Sequence, residues 1–573
     1  MIKIVSVVLL VITSSCSTDD ATSSNNFLHY ALRSEPASFD PIKSANLVNA
    51  VLQRQIIECL FEYDYATDGS DVVPLLAERY QVSDDGLQWD IYLRQDAEFF
   101  DPFTPPLFEK QRRLVTANDV LYCWLRQADV RNNADGFWAM EHVFAGIQDF
   151  HEATADADEQ MAQAAFDAAL RDGIEGIQVV DDHHLRVRLQ YSDPWFANRL
   201  AMSYFAVYPP EAAQQTQRGM RDQPVGSAVF HLQNFTPGQE VVLARTEDWR
   251  DPSLLTAHGI NFQVVRDEQT TIELFKRGAS DRLTLSHSSA EHFINDAGEL
   301  KQEFIDAGMS IADYPRSDIS MLCFNMRDRE IGNIANDALG NQRRRQLRHA
   351  LALAFPRQQW QDLLYQRLPT ITASAFIPPN VGAAHQVYPW HDSLEQAREI
   401  LKDAGYYDTH TLPSVEFVLF GTNPLSIALG EIYAVALKKI GIECKLVAVP
   451  YAQQVQRAVN AEAQIFVRNW SLDWPDSSLI YNTFSSANEG TEINLSHFNN
   501  SEFDELLQQL ALCRDPQRRQ ILEAQLDAIL YSECPAMPIE HRQSWVLASR
   551  RITNFKMRPF DLMPCKFYQL AND

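Results

Sequence analysis

No HExxH, GxSxG or GxxxxGK[ST] pattern occurs in the 573 residues, and none of the eight cysteines stands in a CxxC pair. These gaps remove the usual spacings for zinc hydrolysis, nucleophilic serine chemistry, phosphate cradling and cysteine-type zinc binding. His287, His292 and the pair His183-His184 form no ligand set, so no metal and no cofactor are expected, and no carboxylate pair can be singled out for glycoside chemistry. Beyond the first residues no stretch offers 18 uninterrupted apolar positions, which excludes a later membrane-spanning helix. Repeats of 20 to 50 residues and low-complexity tracts are missing, which excludes a solenoid. Positive charge is scarce: 49 Lys+Arg stand against 76 Asp+Glu, a formal charge of −27 with no long block of one sign. A field of that sign repels phosphate backbones, so nucleic acid is not an expected partner. The acidity describes a solvated surface, and it would also concentrate cationic solutes near a cleft.

What is present is a long, ordinary globular composition, 46% hydrophobic and 10% aromatic. A chain of this length exceeds what one core accommodates, so several packed units are expected. Residues 1 to 15, MIKIVSVVLLVITSS, carry one charge at Lys3, an apolar run and small residues at the end. That is a secretory leader, shorter than the roughly 20 residues needed to span a bilayer. Cys16 follows directly, in the position of a lipobox cysteine although Thr13 stands where Leu is preferred; the alternative is a stray cysteine beside an ordinary cleavage site. STDDATSSNN, residues 17 to 26, then suits a flexible tether. The remaining seven cysteines are odd in number and are expected mostly as buried free thiols.

Along the body of the chain, FLHYAL from Phe27 predicts a strand, EPASFDP a loop, and residues from about Asn49 to Phe61 a helix. LQWDIYLR alternates with period two around Trp89, Ile91 and Leu93, predicting a sheet with one wet face. Between Asp392 and Trp470 the pattern is clearest. A helix capped by Asp392 or Ser393 stops at Gly405, and VEFVLF, a helix over about 423–440, IECKLVAV, a helix over about 452–460 and AQIFVRNW follow in turn. Strands alternating with helices predict βαβ units and a largely parallel sheet covered on both faces. Ligands of such sheets sit beyond the carboxyl ends of strands, which makes the loop SLDWPDSS after Trp470 a candidate binding position.

Five segments in order resemble the family 5 extracellular solute-binding proteins. They are EPASFDP; VPLLAERYQVSDDGLQWDIYLRQDAEF with VTANDVLYCW; PVGSAVFHLQNFTPGQEVVLARTEDW; FNMRDRE with RRRQLRHALALAFPRQ; and WSLDWPD with NTF. The chain departs from the pattern at PFTPPLFEKQRRL, inserted between Asp101 and Val115, and at Gly226-Ser227-Ala228. The resemblance implies an α/β, two-lobed type II periplasmic-binding-protein fold with an extra subdomain in the first lobe. It places lobe I at 27–48, 194–275 and 541–573, the inserted subdomain at 49–193, and lobe II at 276–540. It implies no enzyme, but the substrate-binding lipoprotein of an ABC importer, a monomer anchored by a lipid on Cys16 at the periplasmic or extracytoplasmic face. There it would capture oligopeptides or dipeptides for the transmembrane permease subunits. A nickel chelate, opine, sugar or cell-wall peptide on the same scaffold, or a surface lipoprotein hydrolase, are the competing readings.

By the same resemblance Asp473 pairs with the ligand's α-amino group, consistent with the need of a desolvated ammonium for a charged partner. Asp473 before Trp474-Pro475 is also a helix-start pattern, a role that suits Asp476 better. Trp470 and Trp474 are candidates to line side-chain pockets, with plain core packing as the alternative. Ala45, Asn46, Leu47 and Asn469 fall at the positions of backbone contacts to an extended peptide. Arg468 is one position out of register with the arginine some relatives use for the ligand carboxylate, which turns it to the opposite strand face.

Overall fold

The computed structural model describes residues 26–571 apart from 68–70, 156–157, 215–218, 255–256, 367, 382–387, 409, 559 and 561–562. The leader, Cys16 and the tether lie outside the described residues.

Two sheets organise the chain. The first joins β1 (Phe27–Leu32), β2 (Phe230–Thr236), β3 (Glu240–Arg245) and β4 (Gly259–Val264) in the order β1-β4-β3-β2. The second joins β5 (Arg282–Thr284), β6 (Ser310–Phe324), β7 (Val415–Leu419), β8 (Cys444–Ala448), β9 (Ile465–Ser471) and β10 (Ala536–Ala548) in the order β5-β10-β6-β9-β7-β8. This is the two-lobed type II architecture, α/β in class. The predicted βαβ units hold: β7, β8 and β9 pair in parallel, and the intervening helices span Pro424–Lys439 and Tyr451–Val459. The sheet as a whole is mixed rather than largely parallel, because the long strands β6 and β10 run antiparallel to each other and β6 runs antiparallel to β9. Period-two alternation feeds both faces. Leu322 and Phe324 enter one core with Phe417 and Val467, while Ile319, Met321 and Cys323 enter the other with Val418 and Phe466.

The region after β1 adds a four-stranded antiparallel sheet (Ala77–Val82, Gln88–Leu93, His184–Arg188, Ile177–Asp181) and the helix Ala117–Ala128. Its Trp124, Phe144 and Phe196 share one continuous apolar core with Leu28, Tyr30 and Phe262 of the first sheet. The helix expected over 49–61 spans Leu47–Ile56 instead. Asn46 starts it by accepting the Val48 and Asn49 amides, and extended backbone at Ile57 ends it, so that Ile57 and the chain through Phe61 enter the core. All seven described cysteines are free thiols, with Cys59, Cys123, Cys323, Cys534 and Cys565 buried.

Two segments carry the chain from one sheet to the other, and a single buried carboxylate ties them. Asp281, wholly shielded from solvent, precedes β5 and accepts the His29 amide of β1 at 2.8 Å while its own amide donates to the His29 carbonyl. After β10, the Ser549 hydroxyl donates to Asp281 at 2.7 Å and Arg551 pairs with it at 2.8 Å. A buried charge is tolerated only when paired and hydrogen-bonded, and here β1 and the second crossing segment supply the partners of a carboxylate on the first.

The altered third motif has its own logic. Gly226 lies against the end of the helix Leu47–Ile56, where a Cβ would fall 2.0 Å from the Ile56 carbonyl oxygen. Ser227 donates to Glu58, which forms a buried pair with Arg250. Gly226→Ala is expected to lower stability by about 1–3 kcal/mol in urea unfolding, because backbone rather than a flexible side chain opposes the added methyl. An unchanged midpoint would contradict this packing.

Candidate ligand-binding site

A cleft of about 670 Å³ opens where the two sheets face each other across these crossings. Its floor follows strand alternation. Arg282 and Thr284 of β5, Ser544 and Val546 of β10, and Tyr314 and Arg316 of β6 present one face, while Leu283 and Leu547 point into the core behind them. From the opposite side the helix Leu47–Ile56 turns Leu47, Ala50, Val51 and Arg54 inward at helical spacing. Leu47, 67% exposed, reaches the cleft from this helix. Met202, Met557, Phe560 and Met563 complete a soft apolar wall.

The loop after β9 closes one end. Ser471 pairs with Asp318 of β6, and the Leu472 amide donates to the Ser317 carbonyl, so Asp473 is delivered to the cleft. Asp318 beneath it is pushed up by burial, opposed by Arg316 at 2.9 Å and Arg542 at 3.5 Å. Asp473 is wetted through the cleft mouth but walled by protein on its other sides. That enclosure pushes its carboxyl up to about 6, and Arg199 pulls only weakly the other way. Arg199 is already engaged, with Asp193 at 3.0 Å and with its guanidinium 4.3 Å from the Trp474 ring centre. The phenols of Tyr63 and Tyr204, raised chiefly by burial, also feel the Asp473 charge. The cleft therefore holds a carboxylate with no hydrogen-bond donor of its own among the described residues.

Of the other residues singled out in the sequence, Ala45 and Leu47 line the cleft. Asn46 spends its side chain capping the helix. Asn469 is exposed and accepts a hydrogen bond from Ser320 at 2.7 Å. Trp470 is half-buried under the Arg468 guanidinium, 4.5 Å from its ring centre. Trp474 is buried, stacked 6.2 Å from Trp138 of the region after β1. The cleft lining runs through Ser471, Leu472 and Asp473, with neither tryptophan in it. Arg468 donates to the Glu492 and Ile493 carbonyls and fixes the chain beyond the loop. Asp476, not Asp473, serves the short helix Ser478–Tyr481, accepting the Ser478 amide and pairing with Arg519. Arg282 and the wall formed by Met557, Phe560 and Met563 escaped the sequence reading. Arg282 carries no motif, and the wall comes from the far end of the chain.

The family model for the bacterial extracellular solute-binding proteins, family 5, matches residues 71–492. Heme-binding protein A of Haemophilus influenzae is 24% identical over 564 residues, covering 96% of this chain and 93% of its own. A dipeptide-binding protein of Pseudomonas aeruginosa is 21% identical, covering 95% of each. Among solved structures, the periplasmic binding protein DppA of Helicobacter pylori in complex with peptide STSA superposes with a TM-score of 0.70 at 18% identity, over 96% of this chain and 100% of that one.

A carboxyl titrating higher in the folded chain than its ordinary 3.8 takes up protons on folding, so its contribution to stability falls as pH rises between about 4 and 6. Asp473→Asn is expected to melt higher than wild type at pH 7.5 when empty, with the difference vanishing toward pH 4. Equal melting at both pH values would contradict the enclosed carboxylate.

Proposed function

Because the chain belongs to the bacterial extracellular solute-binding proteins of family 5, we propose that it captures short peptides outside the cytoplasmic membrane and passes them to an ABC permease. The observation that carries this reading is Asp473, an enclosed carboxylate without a donor, facing a cleft between two lobes. An ammonium group that enters the cleft loses water and is stabilised only by a charged partner, which this carboxylate supplies. Its attraction is stronger than on an open surface because few waters remain to screen it.

The rest of the cleft suits a ligand of variable side chains. Met202, Met557 and Met563 are unbranched and polarizable, so one wall can accommodate different shapes. The exposed chain at Ala45 borders the cleft, where backbone contacts would hold an extended peptide without reading its sequence. A heme, named for one relative, carries carboxylates and no ammonium, and would offer Asp473 no cationic partner. The unpaired carboxylate thus favours a peptide. In this reading Cys16 carries the lipid anchor, residues 17–26 are the tether, and the lobes close about Asp281 and Ser549 when the cleft fills. The chain acts as a receptor and carries out no chemical step on the peptide.

Calorimetric titration with a mixed peptide library tests the reading. Asp473→Ala is expected to weaken binding by about 2 kcal/mol or more. N-acetylation of the peptides is expected to cost the wild type as much and the variant little. Since the carboxyl titrates near 6 and an α-amine near 8, wild-type affinity should rise about tenfold from pH 5 to pH 7. Binding that ignores both the substitution and the acetyl group would remove peptide capture through Asp473.

A further inference from the structure

Beside the cleft the two lobes touch through a pair of contacts built to one plan. Mirrored tripeptides supply them, Asp193-Pro194-Trp195 in the first lobe and Trp474-Pro475-Asp476 in the second. In the first lobe Asp193 accepts the Trp195 amide at 2.9 Å and pairs with Arg199 at 3.0 Å. In the second, Asp476 accepts the Ser478 amide at 3.0 Å and pairs with Arg519 of the helix Pro516–Glu533. Each carboxylate therefore fixes one guanidinium and the turn that carries one tryptophan. The guanidinium of each lobe then lies on the tryptophan of the other: Arg199 is 4.3 Å from the Trp474 ring centre, and Arg519 is 5.9 Å from that of Trp195.

A third ring completes the contact. Arg199 also donates to the Ala139 carbonyl at 3.1 Å, which ties it to the short turn Phe137–Ala139, and Trp138 of that turn stacks within 10° of parallel on Trp474. Trp474 is left 4% exposed, covered by Arg199 and Trp138 from the opposite lobe. Among the described residues neither the Trp195 nor the Trp474 indole N–H has an acceptor, so the ring faces carry the attraction, which strengthens where water is excluded.

We infer that these reciprocal arginine–tryptophan pairs, with Trp138, are a latch between the lobes that favours the closed arrangement and slows the release of what the cleft holds. Asp281 adjoins Arg282 and Trp474 adjoins Asp473, and both neighbours line the cleft, so the crossings and the latch bound it at two places. Opening about the crossings separates both pairs together and returns the Trp474 ring to water, so closure is favoured before any ligand contact is counted. The latch goes beyond the peptide reading, because it acts on any solute.

Small-angle scattering of the empty full chain compares the wild type with Trp138→Ala/Trp195→Ala and with Trp138→Phe/Trp195→Phe. Neither tryptophan lines the cleft, and both reach solvent, so the ligand contacts stay in place. The alanine variant is expected to show a longer maximum dimension than the wild type while keeping the profile of folded lobes, which separates opening from unfolding. The phenylalanine variant should stay near the wild type, since a benzene face also attracts a guanidinium. Release of a bound mixed tetrapeptide library should be about fivefold faster or more from the alanine variant, the loss of one desolvated cation–π contact. Equal scattering of the wild type and the alanine variant, or equal release, would overturn the latch. A library that binds neither would overturn the peptide reading instead, and the scattering alone would then decide the latch.

Discussion

A carboxylate withdrawn from water must find a donor, and this constraint builds the crossings on which the cleft depends. Asp281 finds its donors inside the chain. The His29 amide, the Ser549 hydroxyl and the Arg551 guanidinium converge on it, binding both crossing strands to the first sheet. Glu58 is satisfied by Arg250 and Ser227, and Asp476 by Arg519 and the Ser478 amide. Asp473 has only the distant pull of Arg199, whose guanidinium is already shared with Asp193 and the Trp474 ring. Asp473 lies exposed at the cleft, where a partner from outside can reach it.

The same hinge that fixes the lobes also aims the cleft floor. Because β5 begins at the knot, its alternation is set from Asp281 onward, and Arg282 and Thr284 must face the opening. β6 and β10 extend the floor from there to the loop that carries Asp473. A molecule that contacts both walls of the cleft favours the closed arrangement over the open one by the difference in its affinity for the two.

Much of this was legible in the sequence where local chemistry decides. Ser393, Asn423 and the glycines at 405 and 441 bound their helices as expected, the last two with positive φ. The period-two pattern of LQWDIYLR gave a strand with Trp89, Ile91 and Leu93 inside. The loop after Trp470 was placed at the cleft from βαβ topology, and Asp473 within it lines the cavity. The sequence was silent where distant segments meet. A lone arginine has no periodic or motif signature, so Arg282 became visible only once its register with β10 put it in the cavity. Trp470 and Trp474 sit in that loop too, yet Arg468 covers one and Arg199 with Trp138 encloses the other. Loop position alone does not tell which aromatic rings face a ligand.

The central claim is that an external cation completes Asp473. A crystal structure of the protein purified with whatever it captures from its native host tests this most directly. The account predicts a molecule between closed lobes with a positively charged nitrogen within about 3 Å of the Asp473 carboxylate. A bound molecule that lies elsewhere, or one that leaves Asp473 facing only water, would contradict it.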